Sequence, residues 1–234
     1  MSAEPTLIVD VPRGPVTAVA LVLHGGRSQG TGPVRASQLA VLRMVPIAKH
    51  LRRAGASEGL VVARLRFLQR GWNGIKKAPL ADARWALAEL ERRFPGVPVG
   101  LVGHSMGGRT ALYVADYPTV RTVVALAPWI ERGDPVDQLA GRRVLIAHGT
   151  LDRMTSPPAS AAYARAAERV AETVSYVSVR DDRHAMLRRA GVWHELATGF
   201  LLAVLCARRP DGTAEPETTN VLTKALAGQA SLVV

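Results

Sequence analysis

The sequence has 234 residues and a single cysteine, Cys206. One thiol cannot form an internal disulfide or a cysteine-based zinc site. No apolar run approaches the length needed to span a bilayer, and the first residues lack the basic and apolar segments of a secretory signal. We therefore expect a cytoplasmic protein with no transmembrane segment.

Aromatic residues make up only 5% of the chain, and among the basic residues lysine is rare: Lys49, Lys76, Lys77 and Lys224 are the only lysines. The net charge of +11 comes mostly from arginines scattered in pairs. Nucleic-acid surfaces usually concentrate basic residues, and those for single strands interleave them with aromatic residues for base stacking. We therefore expect no specific nucleic-acid partner, although acidic substrates remain compatible with the charge.

Apolar segments with strand character alternate with segments of helical periodicity from about residue 7 to residue 205. This alternation predicts an α/β protein with a mostly parallel, doubly wound sheet and helices on both faces. The last strand of this pattern is expected at residues 174–179. We assign residues 1–206 to a single domain. The composition then changes to proline, threonine and glutamate, which predicts a flexible C-terminal tail over residues 207–234. Residues 221–226 could form one or two turns of helix, and packing of this segment on the domain or on a partner remains the alternative.

The sequence Gly-His-Ser-Met-Gly-Gly at residues 103–108 follows an apolar run and precedes a helical pattern. The pattern G-x-S-x-G in this setting is typical of a serine held on a tight strand-to-helix turn. The helix N-terminus behind such a serine favours developing negative charge. Ser105 is therefore a candidate nucleophile.

A serine hydroxyl needs a base to accept its proton, and that base needs an acid to orient it. Asp152 and His184 each follow a later predicted strand, so both are expected at the same edge of the sheet as Ser105. Asp134 or Asp137 could supply the acid instead, and Asp181 or Asp182 could tune the histidine. His104, His24 and His148 are interpreted as residues that brace the loops.

These motifs, with His24-Gly25-Gly26 after an early strand, resemble the α/β-hydrolase superfamily over about residues 6–206. The chain is similar to its small bacterial serine hydrolases without a cap domain. The resemblance implies Ser105 as nucleophile, His184 as base and Asp152 as acid. It also implies an oxyanion hole formed by the backbone N–H groups of Gly26 and Met106.

The segment before the predicted acid-bearing strand, residues 128–142, is too short for a helical cap, so we expect a shallow pocket. Its walls are predicted to include four substrate-binding residues: Arg27, Trp72, Asn73 and Trp129. A serine nucleophile argues against dehalogenase and epoxide hydrolase chemistry, which use aspartate. No sequence motif for a metal or cofactor is present, so none is expected.

We therefore expect a carboxylesterase that acts on small or medium acyl substrates through an acyl-enzyme intermediate. Thioesterase, peptidase or acyltransferase activity on the same triad remains open, as does a catalytically idle hydrolase fold used for binding. The sequence leaves the oligomeric state open.

Overall fold

A single sheet runs through the computed structural model, which describes residues 4–208 and 215–234. Within those ranges the strands are β1 (Thr6–Asp10), β2 (Ala18–Leu23), β3 (Leu60–Arg66), β4 (Val99–His104), β5 (Val120–Leu126), β6 (Arg143–Gly149), β7 (Thr173–Val179) and β8 (Ser231–Val233). The α-helices are α1 (Leu39–Ala54), α2 (Ala78–Arg93), α3 (Met106–Tyr113), α4 (Pro157–Ala167), α5 (Ala190–Cys206) and α6 (Pro216–Leu226).

The strand order is β1-β3-β2-β4-β5-β6-β7-β8, and only β1 runs antiparallel to its neighbour. Every residue of β2 and β4 is buried, as expected for central strands covered on both faces. The direction of winding reverses between β2 and β4, so their carboxyl ends form the switch point of the sheet. Ligands of open α/β sheets bind at this position. The predicted fold class is confirmed.

Two helical layers cover the sheet. Helices α2, α3 and α4 pack on one face, and α1, α5 and α6 pack on the other. The largest completely buried side chains include Trp193 and Phe200 of α5 and Phe67 after β3. Among the helices of the described ranges, none has both the length and the apolar character to cross a membrane.

The connection from β5 to β6 contains one 3₁₀ turn, Asp137–Leu139, and no other helix. This agrees with the expectation of a hydrolase without a large lid. The carboxyl ends of the central strands are therefore covered only by short loops.

The C-terminal segment differs from the flexible tail predicted for residues 207–234. Residues 215–234 form α6 and β8, while residues 209–214 lie outside the described residues. Strand β8 pairs in parallel with β7 and becomes the edge of the sheet, so β7 is not the last strand. The reason is apolar spacing: Val221, Leu222 and Ala225 share one buried helical face.

Leu222 is the central contact of this segment. It is 1% exposed, and its side chain sits over Gly199 of α5, where an added Cβ would lie 2.7 Å from the leucine Cδ1. We expect Leu222→Ala to lower the free energy of unfolding by about 2–5 kcal/mol, because it leaves a cavity between α5 and α6. Urea unfolding followed by tryptophan fluorescence measures this.

The matched control is Lys224→Ala, which changes an exposed residue of the same helix and should leave stability within about 0.5 kcal/mol. Equal stability of the two variants would mean that α6 contributes little to the core.

Candidate active site

Ser105 occupies the turn between β4 and α3 with φ 56° and ψ −119°. A non-glycine residue in this region is strained and persists only where surrounding contacts hold it. Here the Ser105 N–H donates to Leu126 O of β5 at 3.0 Å, and Ser105 O accepts from the N–H of Trp129 at 3.1 Å. The predicted strand-to-helix turn is present.

Glycines on both sides of the serine permit this turn. A Cβ added to Gly103 would lie 2.2 Å from Gly107 O, and one added to Gly107 would lie 2.4 Å from Leu23 O. Both obstacles are backbone atoms, so any larger residue would force the strand and the helix apart. The G-x-S-x-G pattern is therefore a packing requirement of this fold.

His184 and Asp152 come together at the carboxyl edge of the sheet. The Nδ1 atom of His184 lies 2.8 Å from Oδ2 of Asp152, and both side chains are almost completely buried. An ionised carboxylate only accepts hydrogen bonds, so Nδ1 carries the proton. In a neutral His184, Nε2 is then the nitrogen without a proton, which can accept a hydrogen bond.

Asp152 is held by a second histidine that the sequence analysis assigns only to loop bracing. His148 Nε2 lies 2.9 Å from the same Oδ2, and its Nδ1 lies 2.9 Å from Ser160 Oγ. Thr155 Oγ1 also donates to Oδ2 at 2.8 Å. The signal in the sequence is the short spacing, since Asp152 follows His148 by four residues and lies in the turn directly after β6.

These donors set the charge of the acid. Burial alone would raise the pKa of Asp152, but hydrogen bonds from His148, His184 and the backbone N–H groups of Met154 and Thr155 outweigh it. The pKa of Asp152 is therefore held well below its usual range, and the carboxylate stays ionised at neutral pH.

The loop that carries His184 is fixed by Asp182. This carboxylate is 1% exposed and accepts hydrogen bonds from Trp193 Nε1 at 2.9 Å and from the N–H of Arg189 at 3.0 Å. It anchors the loop to α5, and among the described hydrogen bonds none joins it to the His184 ring. The carboxylate thus positions the loop.

His104 links this loop to the serine turn. Its Nε2 lies 2.9 Å from His184 O, and the two imidazole rings are 4.7 Å apart. Burial lowers the pKa of His104 to about 3, so the ring is neutral. His104 precedes Ser105 directly, so this contact ties the His184 loop to the serine turn. Among the described hydrogen bonds, none joins Ser105 Oγ to His184.

The two predicted oxyanion donors flank this serine. Met106 begins α3, and Gly26 lies in the loop after β2, where an added Cβ would lie 2.3 Å from Met106 Cε. Neither backbone N–H donates a hydrogen bond within the described residues. His24 supports this loop: its Nε2 accepts from the N–H of Phe67 at 3.1 Å.

The four predicted substrate-binding residues have different surroundings. Trp129 and Trp72 line a cavity of about 250 Å³ beside the serine turn, and Arg27 lines a neighbouring cavity of about 310 Å³. Trp72 is only 3% exposed, so most of its ring is covered by the protein. The Asn73 side chain is used within its loop, where Oδ1 accepts from the N–H of Gly30 at 2.9 Å.

The alternative acids lie elsewhere. Asp134 accepts from Arg109 Nη2 at 2.6 Å and from the Tyr113 hydroxyl at 2.7 Å. Asp137 is exposed at the start of the 3₁₀ turn. Within the described contacts neither reaches His184, whereas Asp152 does.

Comparisons with known proteins agree with this architecture. The sequence model described as the alpha/beta hydrolase fold matches residues 69–178. Est1E from Butyrivibrio proteoclasticus superposes with a TM-score of 0.65 at 15% identity, over 87% of this chain and 95% of that one.

A serine hydrolase of Xanthomonas campestris, described as lacking a lid, gives a TM-score of 0.60 at 18% identity, over 82% of this chain and 86% of that one. The chain has the α/β-hydrolase fold. An alpha-beta serine hydrolase homologue from Coxiella burnetii gives a TM-score of 0.61 at 18% identity, over 83% of this chain and 90% of that one. A search of curated protein sequences finds no significant match to this chain.

Proposed function

We propose that this α/β-hydrolase is a serine esterase that cleaves acyl esters of small or medium size. The observation that carries the proposal is the His184 Nδ1 to Asp152 Oδ2 contact of 2.8 Å. The backbone of His184 is in turn 2.9 Å from His104, the residue directly before the strained Ser105. Esterases and serine hydrolases among the structural neighbours support the same reaction class.

In this mechanism His184 Nε2 takes the Ser105 hydroxyl proton as Oγ attacks the ester carbonyl carbon. The carbonyl oxygen becomes an oxyanion, which the N–H groups of Gly26 and Met106 stabilise. His184 then gives its proton to the departing alkoxide, which leaves as the alcohol. Water attacks the acyl-enzyme by the same route in reverse, and releases the acid and free Ser105.

Asp152 keeps its negative charge throughout. It orients the imidazole and stabilises the imidazolium that forms when His184 takes the proton. The His148 and Thr155 hydrogen bonds hold the carboxylate in place, so we propose that they position the acid.

Thioesterase, peptidase and acyltransferase reactions would use the same groups, with a different leaving group or acceptor. A protein that uses this fold only to bind a ligand would have no hydrolytic activity. Labelling by a fluorophosphonate, which reacts with activated serines, separates an active serine hydrolase from that binding protein.

The missing lid leads to a prediction about acyl chain length. A buried methylene contributes about 0.8 kcal/mol, so a deep pocket would raise kcat/KM about fourfold per added carbon. Without a cap to wall in a long chain, we expect kcat/KM to be highest for short acyl groups, from acetyl to about hexanoyl, and then to level off. Steady-state kinetics on p-nitrophenyl esters from acetate to palmitate, below their solubility limits, measures this.

A steady rise of kcat/KM through decanoate would show that another segment walls in a long acyl chain. The matched measurement compares the rate of hydrolysis just above and just below the concentration at which each ester aggregates. We expect the rate not to increase when aggregates form.

A further inference from the structure

A buried arginine lies between two tryptophans beside the serine turn. Arg109 follows Ser105 by one turn of α3, and its side chain is 4% exposed. The guanidinium carbon sits 4.3 Å from the centre of the Trp72 ring and 4.6 Å from that of Trp129. Cation–π contacts of this kind fix the position of both rings.

The charges around this arginine cancel. Its Nη2 pairs with Glu131 at 2.8 Å and with Asp134 at 2.6 Å, and the second cation nearby, Lys77, lies over the Tyr113 ring at 4.7 Å. Among the described residues, Nε and Nη1 of Arg109 are buried without a hydrogen-bond partner. Arg109 and Lys77 are thus balanced by Glu131 and Asp134. This group of four residues has no net charge that would attract an ionic ligand.

The two tryptophans also form walls of the cavity of about 250 Å³. Their rings meet at 74°, so they form a corner of two aromatic surfaces. The cavity adjoins the serine turn through Trp129, whose N–H donates to Ser105 O at 3.1 Å. Trp129 therefore belongs both to the cavity wall and to the loop that is bonded to the serine turn.

Ile75 forms the rim of this cavity and is 99% exposed. A large apolar side chain that the protein itself does not cover gains stability when an apolar ligand group covers it. The rim therefore favours an apolar occupant, in agreement with the neutral charge balance of the cluster.

We propose that this cavity is a substrate subsite for an uncharged, flat aromatic group of the ester, and that Arg109 is the positioning residue that holds its tryptophan walls. The subsite rests on the proposed esterase function. A flat ring can stack on the half-buried Trp129 indole or meet its edge, the arrangements that aromatic pairs prefer. The immobilised walls reduce the entropy lost on binding.

The test compares the ethyl esters of phenylpropionate and cyclohexylpropionate, whose leaving group contains no ring. They share the same leaving group and the same carbonyl environment, and they differ in whether the remote ring is flat or puckered. We expect kcat/KM to favour the phenyl ester by about 3- to 10-fold, the range typical of aromatic pair energies. A ratio of one or below in the wild-type protein overturns the proposal.

Trp129→Leu should bring this ratio close to one, and Trp85→Leu is the matched control. Trp85 is a half-buried tryptophan of α2 outside the cavity, so its replacement should keep the wild-type ratio. Arg109→Met should raise KM for the phenyl ester more than it lowers kcat, and Arg109→Lys should restore part of the ratio. If Trp129→Leu keeps the full ratio, the subsite is wrong.

Binding to the Ser105→Ala protein separates this proposal from the esterase function. Phenylpropionamide and cyclohexylpropionamide are titrated against indole fluorescence, with the same preference expected. Selective binding of the phenyl compound without turnover by the wild-type protein would overturn the esterase function alone. Turnover of both esters at equal rates, with equal binding of both amides, would overturn the subsite alone.

Discussion

Replacement of Ser105 by alanine is expected to remove esterase turnover almost completely, by about 10⁴- to 10⁶-fold in kcat. The hydroxyl is the nucleophile that attacks the ester in the proposed mechanism, and the oxyanion donors alone retain little of the rate. Loss of kcat on p-nitrophenyl acetate and loss of fluorophosphonate labelling should occur together. Circular dichroism checks that the fold is retained.

Ser57→Ala is the matched control, because Ser57 is an exposed serine in the loop between α1 and β3. This variant should be labelled and should turn over substrate like the wild-type protein. Undiminished labelling of the Ser105→Ala protein would assign the nucleophile to another serine. Absence of labelling in the wild-type protein would favour the binding protein instead.

Asp152→Asn should lower kcat/KM by about 10⁴-fold, the loss seen when the acid of such a triad is neutralised. The reason is geometric: Oδ2 accepts from His184, His148 and Thr155, and Oδ1 accepts from the N–H groups of Met154 and Thr155. The new amide NH₂ group would face hydrogen-bond donors at either oxygen position, so it would find no acceptor there. His184 then loses the partner that fixes its proton on Nδ1.

The two rival acids supply the comparison. Asp137→Asn changes an exposed residue and should leave kcat/KM within about twofold, less than about 0.5 kcal/mol of barrier. If Asp152→Asn is nearly silent while Asp134→Asn or Asp137→Asn is not, then the acid lies in the loop after β5.

The same substitution should show a pH-dependent loss of stability. Since the pKa of Asp152 is lower in the folded protein than its unfolded value of about 4, its ionised form stabilises the fold above that pH. This contribution declines as the pH falls below about 4. The stability difference between the wild-type and Asp152→Asn proteins should therefore be largest near neutral pH and shrink in acid.

The sheet and the serine turn could be predicted because their signals are local. A continuous apolar strand, a G-x-S-x-G turn and a helical repeat each occupy neighbouring residues, and the order of strands and helices then fixes the parallel topology. Asp152 and His184 were proposed because both follow strands, and the carboxyl ends of parallel strands share one edge.

Contacts between distant segments could not be predicted in the same way. Arg109 contacts Trp72 and Trp129, which come from loops after different strands, and its sequence neighbours do not indicate this. The apolar residues of α6 indicate a short helix, but the polar, proline-bearing stretch before them gives no sign that this helix packs on the domain. His148 was assigned to bracing because a histidine before a glycine at a strand end gives no sign of the carboxylate it contacts.

The late position of β8 has a consequence for synthesis on the ribosome. Strand β7 ends at Val179, and the strand that covers its edge begins only at Ser231, about 50 residues later. At typical elongation rates of about 5–20 residues per second, that edge stays unpaired for several seconds. During this interval the nascent chain exposes hydrogen-bonding groups that can pair with other chains. Chaperone demand should therefore peak while α5 and α6 are being translated.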